Sequence, residues 1–234
     1  MIGLHEIEKY LKSKGKYWIS FTGDSITSTE WVHPNWRDIV IYAIHQELTR
    51  LLDGDWKTPE WGVRGFNFAY DGATTKDILE RVDNILLVKP DLVISLMGGG
   101  DPENGISVEE HKSNIERIAE TITTAGVELV WCTTTPALLG SGKNEEYSHY
   151  REAFLRIHES DKFHKLDVFE LYKIFPLERL FTFRTEKGEI DPEHPNQLGN
   201  AYIAKVIMKE LFAVEFDPEK YMENTLKGEK YPGY

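Results

Sequence analysis

The chain is predicted to be an α/β protein of three layers, a parallel sheet of five strands with helices on both faces. Two patterns predict it. Short apolar runs alternate with segments of helical period from Tyr17 to Leu211, the order that builds strand-helix-strand units. The runs are also apolar almost without interruption, as strands covered on both faces are. A length of 234 residues suits one core, so 1–212 is expected to be a single domain and 213–234 a C-terminal extension.

Residues 17–22 are the first strand. Residues 34–52 follow at helical spacing, with Trp36, Val40, Ala43, Ile44 and Leu51 making most of one stripe. The second strand is 63–68. The next helix, 74–87, carries Ile78, Leu79, Val82, Ile85 and Leu86 on one face, and Thr74 with Asp77 is its start signal. Pro90 stops that helix before a third strand at 91–97. Ser107-x-x-Glu110 is a capping box that opens a helix through Ala125. Gly126 ends it, and 127–132 is the fourth strand. A helix at 144–160, a fifth strand at 165–169 and a closing helix at 198–211 complete the pattern. The extension holds Phe216, Tyr221, Tyr231 and Tyr234 among charges without a clear period, and its placement stays open.

Composition narrows the function. Hydrophobic residues are 41% of the chain and charged ones 28%, a globular balance. The formal charge of −12 comes with no basic stripe, which argues against nucleic acid and gives no attraction to an anionic membrane. No apolar run has the length of a bilayer span, and the charged N-terminus Met1–Glu8 does not read as a signal peptide. Cys132 is the only cysteine, so no intrachain disulfide forms. A reducing, cytoplasmic location is the expectation.

In open parallel sheets, ligands bind beyond the carboxyl ends of the strands. That rule groups four loops at one edge: 23–33, 67–73, 98–106 and 133–143. The loop 53–62 lies at the other edge, so Trp56 and Trp61 are expected to cover the base of the core. The first site-edge loop opens Gly23-Asp24-Ser25, and Asp191-Pro192-Glu193-His194 stands before the last helix. One chain thus holds a candidate serine nucleophile, base and orienting acid. His194 is preferred as base over His33 and His149 because Asp191, three residues earlier, can accept from its Nδ1–H. His111 falls on the apolar stripe of its helix and reads as a satisfied core residue. Asp24 reads as holding the turn through side-chain-to-backbone bonds. Gly72 can point an N–H at an anion, and Gly98-Gly99-Gly100 permits close backbone approach. No His, Cys or Asp spacing matches a metal site.

These residues resemble the SGNH hydrolases, the GDSL-type esterases and lipases, over roughly Tyr17 to Leu211 and in motif order. Gly23-Asp24-Ser25 is similar to the first block, Asn67-x-x-x-x-Gly72 to the second, Gly98-Gly99-Gly100-Asp101 to the third and Asp191-x-x-His194 to the fifth. The alternative serine elbow, G-x-S-x-G, is absent. The resemblance implies a flavodoxin-like fold and a serine esterase with Ser25 as nucleophile, His194 as base and Asp191 as its orienter. It implies an oxyanion hole from the Ser25 and Gly72 N–H groups plus a third-block asparagine. Gly100 stands in that asparagine's place, with Asn104 or the glycine backbone as substitutes. Asp24, Trp31 and Tyr70 are the residues expected at the substrate, a small O-acetyl or short-chain ester. No cofactor is implied. A non-catalytic binding protein on the same scaffold, and a thioesterase or lysophospholipase, are the alternatives; oligomeric state stays open.

Overall fold

The computed structural model describes residues 2–52 and 60–231. Its centre is a five-stranded parallel sheet in the order β2-β1-β3-β4-β5. The strands are β1 (Tyr17–Gly23), β2 (Val63–Asn67), β3 (Leu92–Leu96), β4 (Glu128–Cys132) and β5 (Phe163–Leu166). Alternation along the strands divides the core. Leu92, Ile94 and Leu96 face one apolar cluster, whereas Val93 faces the other.

The first face is covered by α1 (Leu4–Lys14), α2 (Trp36–Leu51) and α10 (Gln197–Phe212). The second is covered by α3 (Thr75–Glu80), α4 (Val82–Leu87), α6 (Val108–Thr124) and residues of α7 (Lys143–Leu155). This is the three-layer α/β arrangement. The remaining helices are short: α5 (Gly100–Glu103), α8 (Val168–Tyr172), α9 (Leu177–Leu180) and α11 (Pro218–Lys227). Residues 213–231 lie against the first face. Phe216 and Tyr221 are buried there, and the Tyr231 N–H donates to the Tyr42 hydroxyl at 3.0 Å.

Local differences from the expected elements have identifiable causes. The 74–87 helix is broken at Arg81, whose backbone (φ −113°, ψ 10°) leaves the helical region. The fifth strand ends at Leu166 rather than 169. Asp167 turns the chain there by capping α8, and its carboxylate is held by Arg151 Nε at 2.8 Å and by the Thr133 hydroxyl at 3.1 Å. Trp61 is 56% exposed and does not seal the core; Trp56 lies outside the described residues. Among the described residues no helix is long and apolar enough to cross a membrane.

Register places the site. Ile19, Phe21 and Gly23 pair with Leu92, Ile94 and Leu96, so β1 and β3 end side by side. The loops that follow them meet at once.

Candidate active site

Gly23 ends β1 where no side chain fits. Its φ is +149°, and an added Cβ would lie 2.0 Å from the Leu96 carbonyl oxygen. This close approach delivers Asp24 beneath the loop after β3. Asp24 is 1% exposed. Its Oδ2 accepts from Gly98 N–H at 2.6 Å and Gly100 N–H at 3.2 Å, and its Oδ1 from Ile26 N–H at 3.2 Å. Burial pushes its carboxyl up to about 6, against the three amides. Asp24 touches the cleft but is fully engaged with backbone. It holds the turn from the floor of the cleft.

Ser25 follows, and its Oγ lies 2.9 Å from His194 Nε2. On the far side of the ring, His194 Nδ1 is 2.8 Å from Asp191 Oδ2. A carboxylate only accepts, so Nδ1 carries the proton and Nε2 is left to accept from the serine. Asp191 Oδ1 takes the Glu193 and His194 amides at 2.9 and 3.1 Å, which closes the loop on itself. Burial penalises the imidazolium, but the Asp191 hydrogen bond and charge outweigh it and hold His194 above its ordinary value. Burial likewise opposes ionised Asp191, and the His194 and amide bonds hold it below the carboxylate range.

The loop bearing His194 is clamped from outside. The Leu138 N–H donates to the Pro192 carbonyl at 2.8 Å, Asp191 N–H to Phe183 at 2.8 Å and Asn196 N–H to Leu180 at 2.7 Å. Asn196 caps α10 through Gly199 N–H at 2.9 Å. Buried Asn200 then ties the loop to α2, donating to Pro195 O at 2.9 Å and accepting from Trp36 N–H at 3.0 Å.

The cleft over Ser25 has a volume of about 260 Å³. Gly72, with φ +69°, lines it. Among the described residues, no protein acceptor takes the Ser25 or Gly72 N–H. Gly100 also lines it, but not as an oxyanion group. Its N–H is committed to Asp24, and an added Cβ would lie 2.1 Å from the Ala73 carbonyl oxygen, so no asparagine fits there. Asn104 is not among the residues that line the cleft, and its side-chain amide donates to Gly100 O at 2.8 Å. Of the glycine run, Gly98 and Gly100 both serve Asp24, whereas Gly99 lines the cleft and, among the described residues, no protein acceptor takes its amide.

Tyr70 is away from the cleft. It lines a separate depression with Thr22, Phe68 and Ile78, and the Arg81 guanidinium lies over its ring at 4.5 Å. Trp31 is in the cleft, stacked on His194. The other histidines stand elsewhere: His33 lies near Asp38 at 3.6 Å, His149 is exposed on α7, and His111 bonds buried Asp101 at 2.6 Å.

The cleft also contains residues that no motif marked: Asp71, Glu103 and Glu193. Lys143 bridges the last two, at 3.0 Å to Glu103 and 2.8 Å to Glu193. Burial and the neighbouring Glu193 hold the Glu103 carboxyl above its ordinary range. Each sits one or two residues from a motif position, which is the only signal the chain carries for Asp71 and Glu193. Among the described residues, no group of three His, Cys, Asp or Glu side chains could hold a metal ion.

Residues 21–202 match the model of the GDSL-like lipase/acylhydrolase family. The fold is similar to that of a lipase/acylhydrolase from Enterococcus faecalis, with a TM-score of 0.63 and 21% identity over 83% of this chain and 95% of that one. It is also similar to an acetylxylan esterase from Geobacillus stearothermophilus, with a TM-score of 0.61 and 17% identity over 83% and 94%. A second acetyl xylan esterase aligns with a TM-score of 0.63 and 14% identity, over 83% of this chain and all of that one. No curated protein sequence matches the chain. The family match spans most of the chain, from β1 into α10: the protein belongs to the GDSL-like lipase/acylhydrolase family and is a carboxylic ester hydrolase.

Proposed function

We propose that the protein hydrolyses small, uncharged acyl esters through Ser25, His194 and Asp191. The observation that carries this is the unbroken relay of 2.9 Å from Ser25 Oγ to His194 Nε2 and 2.8 Å from Nδ1 to Asp191. Ser25 Oγ attacks the ester carbonyl carbon while His194 Nε2 takes its proton. The Ser25 and Gly72 N–H groups receive the oxyanion, and His194 returns the proton to the departing alcohol. A water molecule, deprotonated by His194, then attacks the acyl-serine carbon; His194 returns that proton to Ser25 Oγ as the acyl–oxygen bond breaks and the acid leaves.

Charge and size support the substrate class. Carboxylates of Asp71, Glu103 and Glu193 line the cleft, and among the described residues no Lys or Arg does. A phosphate-bearing lysophospholipid or acyl-coenzyme A would meet like charge there. The volume of about 260 Å³ is small for a long chain. The acetyl xylan esterase neighbours favour an O-acetyl group on a neutral sugar. The test is hydrolysis of p-nitrophenyl acetate by wild type and Ser25→Ala, followed by comparison of an acetylated xyloside with acetyl-coenzyme A. The proposal expects activity only with Ser25, and kcat/KM about tenfold or more higher on the neutral ester. Equal rates for wild type and variant would refute the chemistry; preference for the anionic thioester would refute the substrate class.

A further inference from the structure

Trp31 carries no part of the relay, yet it touches His194 within it and Asp71 beside Gly72. Its indole lies flat on the His194 ring, with centroids 3.8 Å apart and planes within 6°. Its Nε1–H donates to Asp71 Oδ1 at 3.0 Å, and Asp71 immediately precedes Gly72. The tryptophan is not there to fill the core. It is 42% exposed, whereas Trp36 and Trp131 are buried completely. The loop beneath it is firmly held. The Asn35 amide donates to Ile26 and Ser28 carbonyls at 2.9 and 3.0 Å, Arg37 Nε to Thr27 O at 2.9 Å, and the Thr27 hydroxyl to Leu96 O at 2.7 Å.

The two hydrogen bonds of the imidazole both lie in the ring plane, so they resist tipping of the ring weakly. A flat aromatic face resists it directly. Tipping would swing Nε2 away from Ser25 Oγ, and a misplacement of about 1 Å can cost around a hundredfold in rate. The indole face also favours the imidazolium that forms when the serine attacks.

We propose that Trp31 is a positioning residue that holds the His194 ring in register with Ser25 and couples it, through Asp71, to the loop presenting Gly72. The kinetic half of this rests on the proposed function; the contact itself is testable without substrate. Protonated imidazole quenches the emission of an indole stacked on it. The experiment is a pH titration of emission for wild type minus Trp31→Phe, which cancels the other tryptophans. A step in the difference signal that vanishes in His194→Gln is expected. Asp191, Asp24 and Glu193 are the charged groups that act on that ring, and Asp71 holds the indole, so Glu193→Gln must keep the step, displaced to lower pH, and Asp71→Asn must keep it.

In kinetics with p-nitrophenyl acetate, Trp31→Ala lowers kcat about 10- to 100-fold with KM within about twofold. Trp31→Phe recovers most of it by restoring the stack. Asp71→Ala loses a smaller factor, and adding it to Trp31→Ala loses nothing more, because Asp71 acts through Trp31. No emission step, or an unchanged kcat in Trp31→Ala, overturns the proposal. If wild type hydrolyses no ester while the step is present, the proposed function fails and the orienting contact stands.

Discussion

Among the described residues, the Asp191–His194 and Asp101–His111 pairs have nearly the same local geometry and differ in what surrounds them. In the first, Asp191 and His194 meet at 2.8 Å, and the second ring nitrogen faces Ser25 Oγ across an open cleft. In the second, Asp101 and His111 meet at 2.6 Å within the packing of α5 against α6. Asp101 there also takes the Thr75 N–H at 2.6 Å and its hydroxyl at 2.7 Å, while Asn114 donates to the same hydroxyl at 3.1 Å. Tyr150 closes over His111 edge-to-face, with centroids 5.2 Å apart. The second pair pins the start of α3 to α5 and α6. A carboxylate orienting an imidazole is therefore not a catalytic feature in itself. What the other nitrogen meets, and whether substrate can reach it, decides.

The largest effect that can break this comparison is on rate. His194→Ala is expected to lower kcat by about 10⁴-fold or more with little change in Tm. His111→Ala reverses the pattern. It leaves the buried Asp101 carboxylate without its partner and costs about 2–5 kcal/mol of stability, while kcat of the folded protein stays within a few-fold. Kinetics at 25 °C beside thermal melts check both; a rate loss from His111→Ala matching that from His194→Ala would erase the distinction.

Asparagine at each acid gives the next contrast. Asp191→Asn favours the wrong His194 tautomer and should lower kcat by about 10³–10⁴-fold, whereas Asp101→Asn should act on the melting temperature. Gly100→Asn tests packing near the site. With Ala73 O only 2.1 Å from the added Cβ, it should destabilise the protein by at least about 1–3 kcal/mol and not raise kcat. A faster, equally stable variant would restore the missing-amide account.

The smallest effect is on pH. Only neutral His194 can take the serine proton, and its pKa lies above the ordinary value. kcat/KM should therefore fall as pH is lowered, with the midpoint of this acid limb above the ordinary histidine value of about 6.5. Glu193 adds to that elevation, so Glu193→Gln should move the limb to lower pH. A limb unmoved by Glu193→Gln would mean that solvent screens that charge.

Much of this was legible in the chain because its parts are local. Gly23-Asp24-Ser25 and Asp191-x-x-His194 each lie within one turn, and apolar runs mark β1, β3 and β4 plainly. The misses are contacts between distant segments. Phe169 reads as part of a strand, but Asp167 is captured by Arg151 and Thr133 and turns the chain into α8. The helix α1 is absent from the elements read from the sequence: Leu4, Ile7 and Leu11 carry its buried stripe, and the charged residues between them mask it. Trp31 on His194, and Lys143 between Glu103 and Glu193, join four segments that only the strand order brings together. Gly100 shows the same limit: a motif position reads as a lost side chain, and the packing shows backbone against backbone.

The central claim is that Ser25, activated by His194, is the nucleophile, and labelling by a fluorophosphonate tests it most directly. Intact and peptide mass spectrometry should find one adduct, on Ser25, in wild type and in folded His111→Ala. His194→Ala should label at least about a hundredfold more slowly, and Ser25→Ala should not label. An adduct on another residue, or equal labelling of wild type and Ser25→Ala, would contradict the account.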